Sequence, residues 1–417
     1  MDRLIIDGGT PLRGKLRVSG SKNSALPILL ATLLTDEECV VDNVPVRLRD
    51  IRLTFRVLEA IGKHVQVSGT RVRIIARKPL KTRAPYELVK QMRASVLVAG
   101  PLLARFGWVR VPIPGGCAIG VRPIDIHLKA FEDLGARRTL DQGDIILDSP
   151  LRPGRVRFKF PSVGATENVM MAAAAVPGVT TIVNAAREPE IEDLARFLNA
   201  LGARVRGAGT PVVEVRGARD LHAARHVVIP DRIEAGTFML AAAACQGSLR
   251  LLGVEPRHVR ALTLKMREAG AVVREGAGEL RVSMKGRPRA VAIVTAPYPG
   301  FPTDLQAPWL AWMCLARGRS RIRETVFENR FLHAAELARM GARISVSGDS
   351  AFVDGVAALG GAPIMASDIR AGAALLVAGL AARGRSDIHR VYHIDRGYER
   401  VEVKLRSIGA RVKRVKK

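Results

Sequence analysis

The sequence predicts a mixed α/β protein of two domains, each assembled from three copies of one structural unit, and three observations carry that expectation. A chain of 417 residues that is 48% hydrophobic can bury large cores, and its length fits two or three domains. Six segments then read alike: "LEAIGKHVQV", "FEDLGARRTL", "LNALGARVRG", "MREAGAVVRE", "LARMGARISV" and "LRSIGARVKR". Interleaved with them are six stretches that open on a polar group and continue as helices apolar nearly all round: "SKNSALPILLATLL", "MRASVLVAGPLLA", "GATENVMMAAAAV", "DRIEAGTFMLAAAA", "PTDLQAPWLAWMCLA" and "DIRAGAALLVAGLAA". Helices of that composition belong inside a domain.

In the first series each segment is a helix end running into a strand. Gly62, Gly135, Gly202, Gly270, Gly341 and Gly409 stand where a helix C-terminus needs a left-handed residue, and alternating side chains follow in most copies. The glycines recur at intervals of 73, 67, 68, 71 and 68 residues, too long for a solenoid repeat and too regular for chance. The boundary between the third and fourth copies falls near "VVIPDRIEAG". The N-terminal "MDRLIIDGGTPLRGKLRVSG" reads as strands and is expected to cross back and complete the second domain. The expected domains are therefore residues 22–229, and residues 1–21 with 230–417.

Composition excludes several classes. No apolar run reaches the roughly 18 residues that span a bilayer, and the N-terminus lacks a basic segment followed by a long apolar one, so a cytoplasmic protein with no membrane partner is expected. Cys39, Cys117, Cys245 and Cys314 are scattered without a CxxC pair, which argues against a disulfide framework or a zinc knuckle. A formal charge of +27 invites a nucleic-acid reading, yet the basic residues are spread along the chain, aromatic residues make up only 4%, and no nucleic-acid-binding motif occurs; no specific nucleic acid is expected. The basic tail "RVKRVKK" reads as a frayed, solvated terminus. "GGTPLRGKL" has the spacing of a phosphate-binding loop from Gly9 to Lys15, but Leu16 replaces the Ser or Thr that binds Mg²⁺ and no buried strand is read before it. The eight histidines form no metal-ligand pattern, so no metal is expected.

Buried helices present positive N-terminal dipoles, and their openings supply Lys22, Arg93, Arg232, Asp304 and Arg370. If those ends point one way, they suit a multiply anionic substrate, in the cleft between the domains where ligands commonly bind. Asp304 taken alone reads more readily as a helix cap than as a base, though it could serve as both. "PIPGGCAIGVRPIDIH" sets Cys117 among glycines, after Pro114 and before Arg122, a composition that favours a mobile lid, and on these residues alone the thiol reads either as a reactive group or as a small apolar one; Cys245 and Cys314, inside apolar helices, read as small buried apolar groups.

The motifs "SGSKNSALPILLATLL", "MRAS", "PGGCAIGVRPIDIH", "SVGATENVMMAA", "NAAREPEIEDLARFL", "PDRIEAGTF", "GFPTDLQA", "VFENRFLHAAEL" and "HIDRGYERVEVKL" together resemble the UDP-N-acetylglucosamine 1-carboxyvinyltransferases, the enolpyruvyl transferases of peptidoglycan synthesis, over essentially the whole chain. The resemblance implies a pair of inside-out α/β domains (α/β prisms), each of three repeats around buried helices, with the active site in the interdomain cleft and a lid loop carrying Cys117. It implies transfer of the enolpyruvyl group of phosphoenolpyruvate to the 3-hydroxyl of the sugar in UDP-N-acetylglucosamine, with release of phosphate by addition and elimination. No cofactor is implied, and a monomer is expected.

Residue by residue, the resemblance makes Cys117 the proton donor and Asp304 the acceptor of the hydroxyl proton, while Lys22, Arg122 and Arg396 hold phosphoenolpyruvate. Asn23, Arg93, Ser162, Val163, Gly164 and Val326 match nucleotide-sugar contacts, as does the run Arg122, Pro123, Ile124, Asp125, Ile126; Arg330 and Arg370 support the cleft. Two alternatives stand beside this reading: enolpyruvyl transfer to shikimate 3-phosphate, and a catalytically silent paralogue that binds nucleotide sugar.

Overall fold

The computed structural model describes residues 2–113 and 124–416, which form two compact units, one of residues 20–113 and 124–229 and the other of residues 2–19 and 230–416. In both, short sheets enclose apolar helices. The six repeat glycines all lie at positive φ, between +90° and +125°, each ending a helix and releasing the chain into a strand. A side chain at those positions would meet the left-handed steric penalty, which is why glycine recurs there.

The described residues of the first unit form three sheets. Strands Arg225–Val227, Cys39–Asp42, Arg71–Ala76 and Lys63–Ser68 form one; Trp108–Pro112, Asp144–Asp148 and Arg137–Asp141 form the second; Arg204–Arg206, Val212–Gly217, Gly178–Val183 and Arg155–Arg157 form the third. Helices Lys22–Ala31, Ala99–Phe106 and Val163–Ala174 pack inside them, with Ile28, Leu29, Leu102, Val169 and Met170 all fully buried. The second of these helices begins later than its apolar pattern predicts, because Arg93–Val98 is a 3-10 turn. Gly100 donates its N–H to Asn168 Oδ1 at 2.9 Å and Pro101 has no N–H, so the regular ladder cannot start before them.

The second unit repeats the plan with sheets Val272–Gly276, Glu279–Ser283, Ser248–Leu252 and Arg13–Arg17; Ile293–Val294, Arg319–Arg323, Ser350–Asp354 and Arg343–Ser347; and Pro363–Met365, Arg385–His389, Arg3–Asp7 and Arg411–Val415. Its buried helices are Arg232–Ala244, Gln306–Met313 and Ile369–Ala381. The N-terminal strands do complete this unit. Arg13–Arg17 runs parallel to Ser248–Leu252, while Arg3–Asp7 pairs antiparallel with both Arg385–His389 and Arg411–Val415.

Two expectations are corrected here. The basic tail is an ordered strand as far as Val415: Val412 is buried and Arg414 donates to Asp395, Glu402 and Asp2, so ion pairs and strand pairing hold what charge alone would leave solvated. A strand with buried Leu4 and Ile6 does precede "GGTPLRGKL", but the chain then enters the strand Arg13–Arg17, and Lys15 has no helix N-terminus to serve. Cys245 and Cys314 are buried, and burial pushes both thiols up to about 12, as inert apolar groups should be.

Lys63 is a charge the first unit holds at a cost. It is 4% exposed and donates to Thr35 O at 2.5 Å, and burial drives its pKa from 10.5 down to about 8, against the pull of Cys39 and Asp36. Because folding weakens proton binding at this site, the penalty is complete below pH 8 and is relieved as pH rises from 8 towards 10.5. Lys63→Met is therefore expected to stabilise the first unit by on the order of 2–3 kcal/mol at pH 7, and to remove that part of the wild type's gain in stability between pH 8 and 10.5. Urea titrations of both proteins at pH 7 and pH 10 check this; equal stability at pH 7 would contradict it.

Candidate active site

The second unit gathers a carboxylate and two guanidiniums. Asp304 lies in the 3-10 turn Thr303–Leu305, which leads into the buried helix Gln306–Met313. The N-cap positions of these two elements are held by Pro302 and Leu305, contrary to the reading of Asp304 as a cap. Asp304 accepts instead from Arg330 through Oδ1 at 2.6 Å and from Arg370 through Oδ2 at 2.8 Å. Both arginine side chains are under 10% exposed, whereas that of Asp304 is 27% exposed, so the carboxylate is the part of the cluster open to a ligand. Burial works against the charge of Arg370, but the adjacent Asp304 more than offsets it and its pKa is raised. Tyr398, 1% exposed, bonds Thr237 Oγ1 at 2.8 Å and accepts from Arg370 at 3.4 Å, which fixes the far side of that guanidinium.

Glu324 binds this cluster to the Val326 segment. One of its oxygens accepts the N–H groups of Val326 and Phe327 at 2.9 and 3.1 Å, and the other accepts from Thr303 Oγ1 at 2.8 Å. Arg330 lies over the Phe327 ring at 5.1 Å. Val326, Arg330, Arg370 and Asp304 are thus brought together. Arg396 ends the 3-10 turn Val391–Arg396 and is half-buried; Arg390 and Arg400 on either side adopt φ of +56° and +47°, a left-handed backbone that is strained for arginine.

The first unit contributes two further groupings. Lys22 and Asn23 open the helix Lys22–Ala31, capped by Ser21 Oγ, which accepts from the Ser24 N–H at 3.3 Å. Lys22 is only 7% exposed and its Nζ lies 3.4 Å from Asp50 Oδ2, so it is a buried, ion-paired cation rather than a solvated one. Pro27 has no N–H to give the Asn23 carbonyl.

The second grouping joins Ile124, Asp125 and Ile126 to Ser162, Val163 and Gly164 through His127. Ser162 caps the helix Val163–Ala174, and a methyl group on Gly164 would come within 3.3 Å of the His127 ring. His127 Nδ1 lies 3.2 Å from Asn168 Nδ2, which makes Nδ1 the acceptor, and burial with Arg93 nearby pushes its pKa down to about 3. His127 is therefore a neutral ring throughout the physiological range. On this helix, burial and the charges of Glu190 and Glu188 raise the Glu167 carboxyl well above its ordinary value.

Cys117, Arg122 and Pro123 lie outside the described residues. Sequence reasoning missed Glu324, Tyr398, Asp50 and His127, because each acts through a partner distant in the chain; His127 in "RPIDIH" and Tyr398 in "HIDRGYERVEVKL" were the two with a visible signal. No group of side chains among the described residues could hold a metal ion.

Fold and clusters define a class: a two-unit α/β enzyme of internally repeated architecture, whose arginine-bound carboxylate and buried cations suit proton transfer on anionic substrates. Residues 6–405 match the model of the EPSP synthase (3-phosphoshikimate 1-carboxyvinyltransferase) family. The chain is 53% identical to UDP-N-acetylglucosamine 1-carboxyvinyltransferase of Sorangium cellulosum, covering 100% of this chain and 99% of that one, and 51% identical to the protein of the same name from Trichlorobacter lovleyi, with the same coverage. Among solved structures, the enolpyruvyl transferase NikO from Streptomyces tendae superposes with a TM-score of 0.88 at 26% identity over 99% of both chains. EPSP synthase from Acinetobacter baumannii shares the fold, with a TM-score of 0.74 at 18% identity over all of both chains. The chain belongs to the enolpyruvyl transferase family, with the UDP-N-acetylglucosamine 1-carboxyvinyltransferases.

Proposed function

We propose that this protein transfers the enolpyruvyl group of phosphoenolpyruvate to the 3-hydroxyl of UDP-N-acetylglucosamine, the committing step of peptidoglycan synthesis, as a cytoplasmic monomer without cofactor. The observation that carries the reading is full-length identity of 50% or more to several proteins of that name, whereas the EPSP synthase structure shares only the fold. In this reading Asp304 takes the hydroxyl proton while Cys117 protonates the methylene carbon. Lys22, Arg122 and Arg396 hold phosphoenolpyruvate, Arg330 and Arg370 orient Asp304, and the phosphoketal then loses phosphate and a proton. Asn23, Arg93, Val326, Ile124, Asp125, Ile126 and Ser162–Gly164, with Arg122 and Pro123, contact the nucleotide sugar. The proximity of 124–126 to 162–164 around neutral His127 supports this grouping. The domain assignment, 22–229 against 1–21 with 230–417, places Lys22 in the first and Asp304 in the second.

Phosphate release from phosphoenolpyruvate tests the reading. Turnover is expected with UDP-N-acetylglucosamine and none with shikimate 3-phosphate. The reverse would make the protein the other transferase, and release with neither acceptor would make it a silent paralogue.

A further inference from the structure

We propose that Asp193 is a positioning residue for Lys22 and Asn23, a role that rests on the assignment of those two residues made above. Asp193 sits on the helix Pro189–Ala200 and is 0% exposed. Its two oxygens receive four donors. Oδ2 accepts the Ser24 hydroxyl at 2.5 Å and the Ile229 N–H at 3.1 Å; Oδ1 accepts Arg196 and His226 Nε2, each at 2.9 Å. Burial alone would raise its pKa, but the bond from His226, with those from Ser24 and Ile229, lowers it, and the group stays ionised.

The placement of these bonds is what points beyond stability. Ile229, whose N–H is held by Asp193, accepts the Ser21 N–H on its own carbonyl at 2.7 Å. Asp193 thereby reaches Ser21 through Ile229 and Ser24 directly, gripping both ends of a four-residue segment whose middle members are Lys22 and Asn23. The helices Lys22–Ala31 and Pro189–Ala200 already pack against each other, and both contribute buried residues, Ile28 and Leu29 from one and Leu194 and Leu198 from the other, to one apolar core. Apolar packing tolerates small slides and rotations, whereas a saturated carboxylate fixes the first turn in angle and depth, and shifts of about 1 Å at a binding group cost substantially in rate or affinity. A buried ion is a costly way to join two helices that already pack well, which is consistent with a positional role.

Steady-state kinetics of phosphate release, with thermal melts, test this in Ser24→Ala, Arg196→Ala and Lys22→Ala. Ser24→Ala cuts the direct tether and keeps the carboxylate with its other donors. It is expected to raise the KM for phosphoenolpyruvate about tenfold and change kcat less than threefold, with a melting temperature within a few degrees of wild type. Arg196→Ala removes a donor from the opposite oxygen and leaves Ser21 to Ser24 untouched, so its KM should stay within twofold even where its stability falls. If Ser24→Ala does not fold, Asp193→Asn, which keeps the shape but not the full set of acceptors, is compared with Arg196→Ala in the same way. Unchanged KM in the tether variant, with Lys22→Ala crippled, would overturn the positioning role; equal KM changes in the tether variant and Arg196→Ala would reduce Asp193 to a structural hub. Wild-type kinetics in Lys22→Ala would instead overturn the reading on which the proposal stands.

Discussion

Asp304→Asn is expected to lower turnover by roughly 100-fold or more while UDP-N-acetylglucosamine still binds, on the usual contribution of a general base. The amide copies the shape of the carboxylate but cannot take the 3-hydroxyl proton. It also meets two buried guanidiniums with one oxygen where the native residue offers two, at 2.6 and 2.8 Å. One arginine must then face an NH₂ group, and both lose their countercharge, so a measurable fall in melting temperature should accompany the lost rate. Phosphate release, a melt and calorimetric titration with the nucleotide sugar separate the effects. Turnover within tenfold of wild type would remove Asp304 from the base role, whatever the melt shows. Loss of nucleotide-sugar binding would make it a binding residue first.

Replacing Cys117 should have an effect as large, and its pattern distinguishes acid from bystander. A thiol with a reference pKa near 8.5 is protonated at neutral pH and can deliver a proton to carbon, whereas a serine hydroxyl is far too weak an acid, so Cys117→Ser is expected to lose turnover by roughly 100-fold or more. Cys117→Asp can retain activity where its carboxyl is protonated, and with a reference pKa of about 3.9 its optimum should lie at lower pH than that of the wild type. A phosphonate epoxide of phosphoenolpyruvate-like shape should alkylate the wild-type thiolate and spare the Asp variant, since the nucleophile is then absent. Full activity in Cys117→Ser, or equal inactivation of both proteins by the epoxide, would leave the thiol without a part in the reaction.

Much of the architecture was legible because it depends on local chemistry. A helix that turns into a strand through a left-handed residue needs glycine, and Gly62, Gly135, Gly202, Gly270, Gly341 and Gly409 all adopt that conformation. Helices wrapped by sheets must be apolar on every face, and "FMLAAAA" or "ALLVAGLA" admits no other reading. Family membership was equally legible, since motifs spread over the whole chain rather than any single residue carried it. What sequence alone could not supply was partnership. Nothing in "FPTDLQA" says that Asp304 turns from its own helix to arginines 26 and 66 residues away, or that Glu324 ties Val326 to Thr303. The same limit made the basic tail look frayed, when its strand is completed by residues some four hundred positions earlier. By itself the sequence determined the repeats, the buried helices, the glycine turns and the family. The tertiary structure alone decided which charges face one another, because glycine geometry and apolar periodicity act within a few residues, whereas an ion pair exists only once separate elements have packed to within about 3 Å.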